Sequence, residues 1–269
     1  MALICSGYLK CNPLNFTSYS IDGDLEFLRC SDCGLIWRSP ASLPVTRIYS
    51  SEYFDSKNYL KNRDHKIKKS GWLLDIALSQ NREIQNMLEI GCSVGNTLEA
   101  ATLRNIENAG IDISGYAVQF CLDKGLHAEC KTPEDLLAEG RKFDLIFMQH
   151  VLEHFVNPFE VLSTCTKLLN ANGLLLLMVP NSRFCYAVKN RGKHRFYSMT
   201  GVGAEHFAYF DYPSLRKVLE SQNFQVLQLN YPFKVKGPFS LEFFLNRLFR
   251  RGLSWFNADQ ELLVVAGRQ

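Results

Sequence analysis

From Ile84 onward, short apolar runs alternate with amphipathic stretches, the pattern of strand-helix repeats that build a parallel sheet. The runs predict strands at Ile84–Ile90, Ile106–Ile111, Leu126–Cys130, Phe143–Met148, Leu174–Val179, Phe224–Asn230 and Glu261–Ala266. Between them, Ser114 is placed to cap a helix that Gly125 ends, and Asn157 with Pro158 opens another that runs to Leu169. Asn172-Gly173 turns the chain into the next strand, and a further helix opens at Asp211-Tyr212-Pro213.

Upstream the pattern changes. Residues 1–44 are cysteine-bearing, short-period and rich in turn residues, which predicts a small separate module. Residues 45–83 settle into a helical bridge with Trp72, Leu73, Ile76 and Ala77 on one side. The expected architecture is therefore α/β, a doubly wound, mainly parallel seven-stranded sheet over residues 84–269, preceded by a ribbon-like module. Two stretches break the repeat, near 181–208 and 231–258, and long irregular segments of this kind usually serve function.

At 269 residues and 46% hydrophobic side chains, the chain can bury one substantial core without disulfides. A formal net charge of +3 is too balanced to make nucleic acid an obligatory partner, so a small-molecule substrate fits better. The nine cysteines are odd in number and lie mostly in apolar runs, which suits a reducing, cytoplasmic setting. The amino-terminal residues lack a basic leader with a long apolar segment, and Leu174–Pro180, the longest apolar run, is far short of the ~20 residues of a membrane helix. Peripheral membrane contact stays open, and the sequence says nothing of oligomeric state.

The strongest chemical signal is MLEIGCSVGNTLEAA. A strand runs into Glu89 and then a turn, Gly91-Cys92-Ser93-Val94-Gly95, before a helix; the two glycines allow a sharp bend and close approach of backbone to a ligand. Asp112, followed by Ile113, ends the next strand, where a carboxylate can accept both hydroxyls of an adenosine ribose. A nicotinamide dehydrogenase would share this geometry, but Ser93 and Asn96 stand where its phosphate-binding turn needs glycine.

These residues resemble the motifs of class I S-adenosylmethionine-dependent methyltransferases. LEIGCSVGN is similar to the first motif, usually written with Gly at the place of Ser93, and GIDIS, TPEDL, FDLIFMQHVLEHFVNP and NANGLLLLMVPN resemble the motifs that follow. The resemblance implies that Pro133, Glu134 and Asp135 bracket the adenine, although Thr132-Pro133 with two acids is also an ordinary helix start. Gln149 and His150 lie just past a strand's carboxyl end, where open parallel sheets hold ligands. If the acceptor is a hydroxyl, His150 or His206 can take its proton. Glu153 and His154 could instead fasten the helix start to neighbouring loops.

His150-Val-Leu-Glu153-His154 also matches the H-x-x-E-H pattern of inverted zinc peptidases, a rival that directly follows a strand and meets Pro158 soon after. Cys30 and Cys33, in LRCSDCGLIW, form a zinc knuckle and resemble half of the amino-terminal ribbon on a subset of bacterial methyltransferases. Its other half, Cys5 and Cys11, has five residues between the thiols instead of two. The choice is a four-cysteine zinc site or a metal-free hairpin. IYSSEYF resembles the segment that covers the cofactor in such enzymes, which makes Tyr49 and Tyr53 candidates there. SRFCYAVKNRGKHRFYS and LEFFLNRLFRRG could form a substrate lid, a membrane-surface helix or a partner face. The reading is methyl transfer to a small-molecule hydroxyl or carbon, such as a sugar, lipid precursor or secondary metabolite. The alternative is a non-catalytic methyltransferase-like scaffold.

Overall fold

The computed structural model describes residues 4–22, 25–39, 60–80, 83–183, 206–230 and 261–269. Tyr49, Tyr53, nearly all of the first basic stretch and all of the second lie outside the described residues.

Three short strands come first: β1 (Phe16–Asp22), β2 (Leu25–Cys30) and β3 (Ile36–Ser39). Helix α1 (Arg63–Leu78) follows, then β4 (Asn86–Ile90), α2 (Asn96–Thr102), β5 (Glu107–Ile111), α3 (Gly115–Asp123), β6 (Ala128–Glu129), α4 (Pro133–Ala138) and β7 (Phe143–Gln149). The second half adds α5 (Pro158–Leu168), β8 (Leu169–Pro180), β9 (Ala208–Tyr209), α6 (Tyr212–Ser221), β10 (Phe224–Asn230) and β11 (Glu261–Arg268). The expected doubly wound sheet is present, in the order β10-β11-β8-β7-β4-β5-β6. Strands β8 through β6 in that order run parallel, whereas β11 pairs antiparallel with both β8 and β10.

Alternation of side chains across the sheet explains why its central strands are apolar throughout. Leu88, Ile90, Ile146, Met148, Leu175 and Leu177 enter one core layer with α4, α5 and α6. Their neighbours Met87, Leu145, Phe147, Leu174 and Leu176 enter the opposite layer with α1 and α2. A strand covered on both faces has no polar side to display.

Three local expectations change. Trp72 is 40% exposed, and the buried stripe of α1 is Ile67, Ser70, Gly71, Leu74 and Ala77 with Leu73. A spacing of three to four residues sets that stripe, and it excludes position 72. Asn172-Gly173 falls inside β8: Phe143 faces Leu169 while Leu145 faces Leu174, so the pair forms a bulge rather than the strand's start. The third predicted strand shrinks to Ala128–Glu129 at the sheet edge.

The second sheet has the order β1-β2-β3-β9. Ile36 pairs with Tyr209 and Trp37 with Ala208, so a segment distant in sequence closes the amino-terminal hairpins. Leu28, Leu35, Trp37 and the four cysteines of this region share one core with the main sheet. Among the described residues, no helix is long and apolar enough to cross a membrane.

Candidate functional site

The chain lays β4, β5 and β6 outward in one direction, then returns to place β7 and β8 on the other side of β4. The loops that leave the carboxyl ends of neighbouring strands separate at this switch point and open a crevice. A pocket of about 600 Å³ occupies it, lined after β4 by Gly91, Cys92 and Ser93, after β5 by Asp112 and Ile113, after β6 by Pro133 and Glu134, and after β7 by His150. Glu89, from the end of β4, and Gln149, from the end of β7, line it as well. Most residues expected to act together from sequence thus face one cavity, while Gly95, Asp135 and His206 are not part of its lining.

The turn is built by backbone strain and by tight packing. Gly91 and Gly95 both have φ of 72°, and Ser93 adopts φ 49°. A non-glycine residue in the left-handed region costs roughly 1–2 kcal/mol, a cost that Ser93 carries here. The glycines answer to neighbours more than to ligand approach. A Cβ at Gly91 would lie 2.5 Å from Val151 Cγ2, and one at Gly95 would meet Leu126 and Cys121 at 2.6 and 2.9 Å.

Asp112 closes the turn from the opposite side. Its Oδ2 accepts the Ser93 amide at 2.9 Å and its Oδ1 accepts the Ser114 amide at 2.9 Å. Burial pushes its pKa above the usual carboxylate range, against the pull of those amides. Glu89 is buried, and its Oε2 has no hydrogen-bond partner among the described residues. Burial raises its pKa well above the ordinary value, although Thr97 and the Leu98 amide oppose the shift. An unpartnered buried acceptor costs about 1–3 kcal/mol. A ligand with an ammonium and two vicinal hydroxyls fits this acidic floor.

Glu134 lines the pocket and accepts the Thr164 hydroxyl at 3.0 Å, while Asp135 forms a reciprocal cap with Thr132. Of the two acids, Asp135 takes the capping role. Sequence reasoning missed Lys66, Lys69 and Ser70 of α1 and Thr97 of α2, which also line the cavity. The first three share a helical face at spacings of three and four, a legible signal overlooked in favour of the apolar stripe.

At the far end, His150 directly follows β7 with φ 55°, and its amide donates to Met178 O at 2.8 Å. Its Nε2 lies 2.9 Å from Glu261 Oε1 and its Nδ1 3.5 Å from Glu153 Oε1, while Lys69 reaches the other oxygen of Glu261 at 3.6 Å. Burial opposes its charging, but the two carboxylates outweigh it and lift the pKa to about 9. Nothing in the sequence marked Glu261, because β11 reaches this place only through the sheet. Residues 152–154 form a single 3₁₀ turn, so the two histidines of the H-x-x-E-H pattern do not share an α-helical face and the zinc-peptidase arrangement is absent.

His154 lines the pocket, and the His206 ring stands edge-on to it with centroids 4.6 Å apart. His206 is placed by the second sheet: the Phe207 amide donates to Glu153 O at 2.8 Å and Phe207 O accepts the Arg38 amide at 2.9 Å. The sulfurs of Cys5, Cys11, Cys30 and Cys33 are buried, free of disulfides and within 4.8 Å of one another. A 3₁₀ turn over Ile4–Gly7 swings Cys5 into reach, so the five-residue gap to Cys11 is no obstacle. A hydrogen bond from Cys5 holds Cys33 down to about 6, whereas burial and the charge on Cys33 push Cys11 up to about 12. Four converging thiols that already favour one thiolate are compatible with zinc.

A doubly wound sheet with an acidic, glycine-turned pocket at its switch point is the arrangement in which open α/β sheets bind ligands. A family profile described as a methyltransferase domain matches residues 57–229, and the chain belongs to that family. It is similar to the ubiquinone biosynthesis O-methyltransferases of Caulobacter vibrioides (27% identical over 175 residues, 64% of this chain and 62% of that protein) and Coxiella burnetii (23% over 176 residues, 61% and 75%). The chain thus spans less than two thirds of the Caulobacter protein. In fold it is similar to a SAM-dependent methyltransferase from Archaeoglobus fulgidus (TM-score 0.58, 19% identity, 81% of this chain and 100% of that one). It is also similar to the plantazolicin methyltransferase BamL, solved with a desmethylPZN analog and SAH (TM-score 0.55, 19% identity, 83% and 90%).

Proposed function

We propose that the chain moves the methyl group of S-adenosylmethionine to a hydroxyl oxygen of a small molecule, with carbon as the second choice of acceptor atom. The observation that carries this reading is the Asp112 carboxylate, fixed by two amides opposite the buried Glu89 in a pocket that ends at His150 and His154. In that arrangement Asp112 takes the ribose hydroxyls and Glu89 the ammonium of the donor. Cys92, Ser93 and Ile113 line the adenosyl end beside the backbone of Gly91, with Pro133, Glu134 and Gln149 completing the wall. Relatives named as ubiquinone biosynthesis O-methyltransferases support oxygen, and the free thiols support a reducing, cytoplasmic setting.

Displacement at a sulfonium needs chiefly alignment, worth roughly 7–11 kcal/mol in well-oriented systems. The acceptor oxygen bonds to the methyl carbon as the carbon–sulfur bond breaks and sulfur keeps the electron pair. His150 is protonated at neutral pH, so it serves as a fixed cation and donor rather than as the base first expected of it. Removal of the hydroxyl proton falls to the side of the pocket where His154 and His206 meet. Zinc, when bound to the four cysteines, supplies a crosslink that steadies the sheet holding His206.

Calorimetric titration with S-adenosylhomocysteine should give binding on the order of micromolar, reduced at least tenfold in Asp112→Ala. Labelled methyl should then pass from the donor to at least one member of a panel of phenols, sugars and hydroxy acids. Absence of binding in the folded wild type would favour the scaffold reading instead.

A further inference from the structure

The carboxylate of Glu153 is only 1% exposed, and neither of its oxygens completes a hydrogen bond among the described residues. Burying an ionised group in that state is costly unless something of opposite charge completes it. Its nearest basic neighbours stand off at ion-pair distance, His150 Nδ1 at 3.5 Å and His206 Nε2 at 3.9 Å. One carboxylate oxygen of Glu153 and one ring nitrogen each of His154 and His206 all lie within 4.8 Å of one another. The two rings meet at 87°, so their edges can point toward a common centre instead of stacking face to face.

We propose that Glu153, His154 and His206 bind a divalent transition ion of the zinc and cobalt class. Two imidazoles with one carboxylate are a borderline-soft donor set, suited to such ions better than to magnesium. Three protein ligands leave a coordination position open, the mark of a reactive site rather than a purely structural one. His154 forms part of the pocket wall, so that position borders the space where an acceptor hydroxyl arrives; this placement rests on the methyl-transfer reading, whereas ion binding does not. His150 is given no ligand role, because Glu261 holds its Nε2 and the converging donor atoms are those of Glu153, His154 and His206. The H-x-x-E-H segment would thus contribute its second histidine and its glutamate, with His206 replacing the first histidine.

The test uses full-length protein depleted of metal by dialysis against chelator and titrated with Co²⁺ alone. Two equivalents are expected. One brings thiolate-to-cobalt charge-transfer absorption from the cysteine cluster, and the second adds only weak d–d bands. His154→Ala and His206→Ala should each weaken the second equivalent at least tenfold while keeping the thiolate band, which reports that they fold. A second measurement needs no variant: saturating Zn²⁺ should slow carbethoxylation of His154 and His206 in the wild type at least tenfold, read by peptide mass spectrometry. No cobalt signal beyond the thiolate equivalent, a second equivalent untouched by both substitutions, or unprotected histidines would each overturn the proposal. S-adenosylhomocysteine titration of the same samples separates the two readings, since cobalt binding without nucleoside binding keeps the metal site and removes the methyltransferase one.

Discussion

Ser93 shows how one side chain can be tolerated where geometry asks for none. Its left-handed backbone is held by the amide it donates to Asp112, so relief of strain and loss of chain entropy compete in Ser93→Gly. Relief of about 1–2 kcal/mol against about 0.4–1 kcal/mol for freeing the unfolded chain predicts a net gain of about 0.5–1 kcal/mol. Urea unfolding of the ligand-free protein checks this, and a variant less stable than wild type would refute it. Asp112 supplies a pH prediction. Its pKa is raised in the folded protein, and the proposed role requires the ionised form, so on that proposal donor affinity should fall on acidification beginning above the ordinary carboxylate range. In the ligand-free protein the raised pKa works in the opposite sense. The folded state there binds more protons than the unfolded one, so this group's contribution to stability declines as pH rises through the shifted value. Affinity measured from pH 7 downward should follow that titration, and Asp112→Asn should bind weakly with a flat profile. The carboxylate and the glycine turn were legible in sequence because both are local. The unpartnered state of Glu89 was not, since it depends on what the folded chain leaves unpaired.

Among elements, β9 has the largest effect for its size. A two-residue strand carries no readable periodicity, yet this one pairs with Ile36 and Trp37, packs Tyr209 against Phe27 and has His206 just before it. Phe207→Pro would remove the amide that donates to Glu153 O. The expected cost is about 1–3 kcal/mol of stability for the stranded carbonyl. Methyl transfer should drop at least tenfold while S-adenosylhomocysteine binding stays within about threefold; equal losses in both would show that the strand does not position the site selectively. The helices were easier to foresee. Ser114, Thr132, Asn157 and Asp211 each accept a backbone amide at the start of the helix they precede, as short polar side chains at that position should. The face of α1 was harder to foresee: the sheet selects it by spacing, which buries Leu73 and Ala77 but leaves Trp72 exposed.

For the molecule as a whole, sequence reading separated an amino-terminal module from the main domain, and the structure joins the two through shared packing. Trp37, Leu35 and the four cysteines lie in the same apolar layer as Leu88, Ile146 and Leu177. Zinc removal should therefore lower the midpoint of a single calorimetric transition by several degrees rather than expose a separate early one. Two resolved transitions would show that the module melts alone. The order of the sheet was within reach of the strand-helix alternation; the placement of Glu261 next to His150 was not, because an antiparallel strand inserted beside β8 leaves no trace in local pattern. That insertion also has a temporal side. A chain emerging from the ribosome displays its glycine bend and Asp112 long before β11, so until β11 docks the imidazole at 150 has Glu153 beside it but lacks the second of its two counter-charges. The charge setting of that imidazole is thus completed only once residue 261 has been made and paired beside β8.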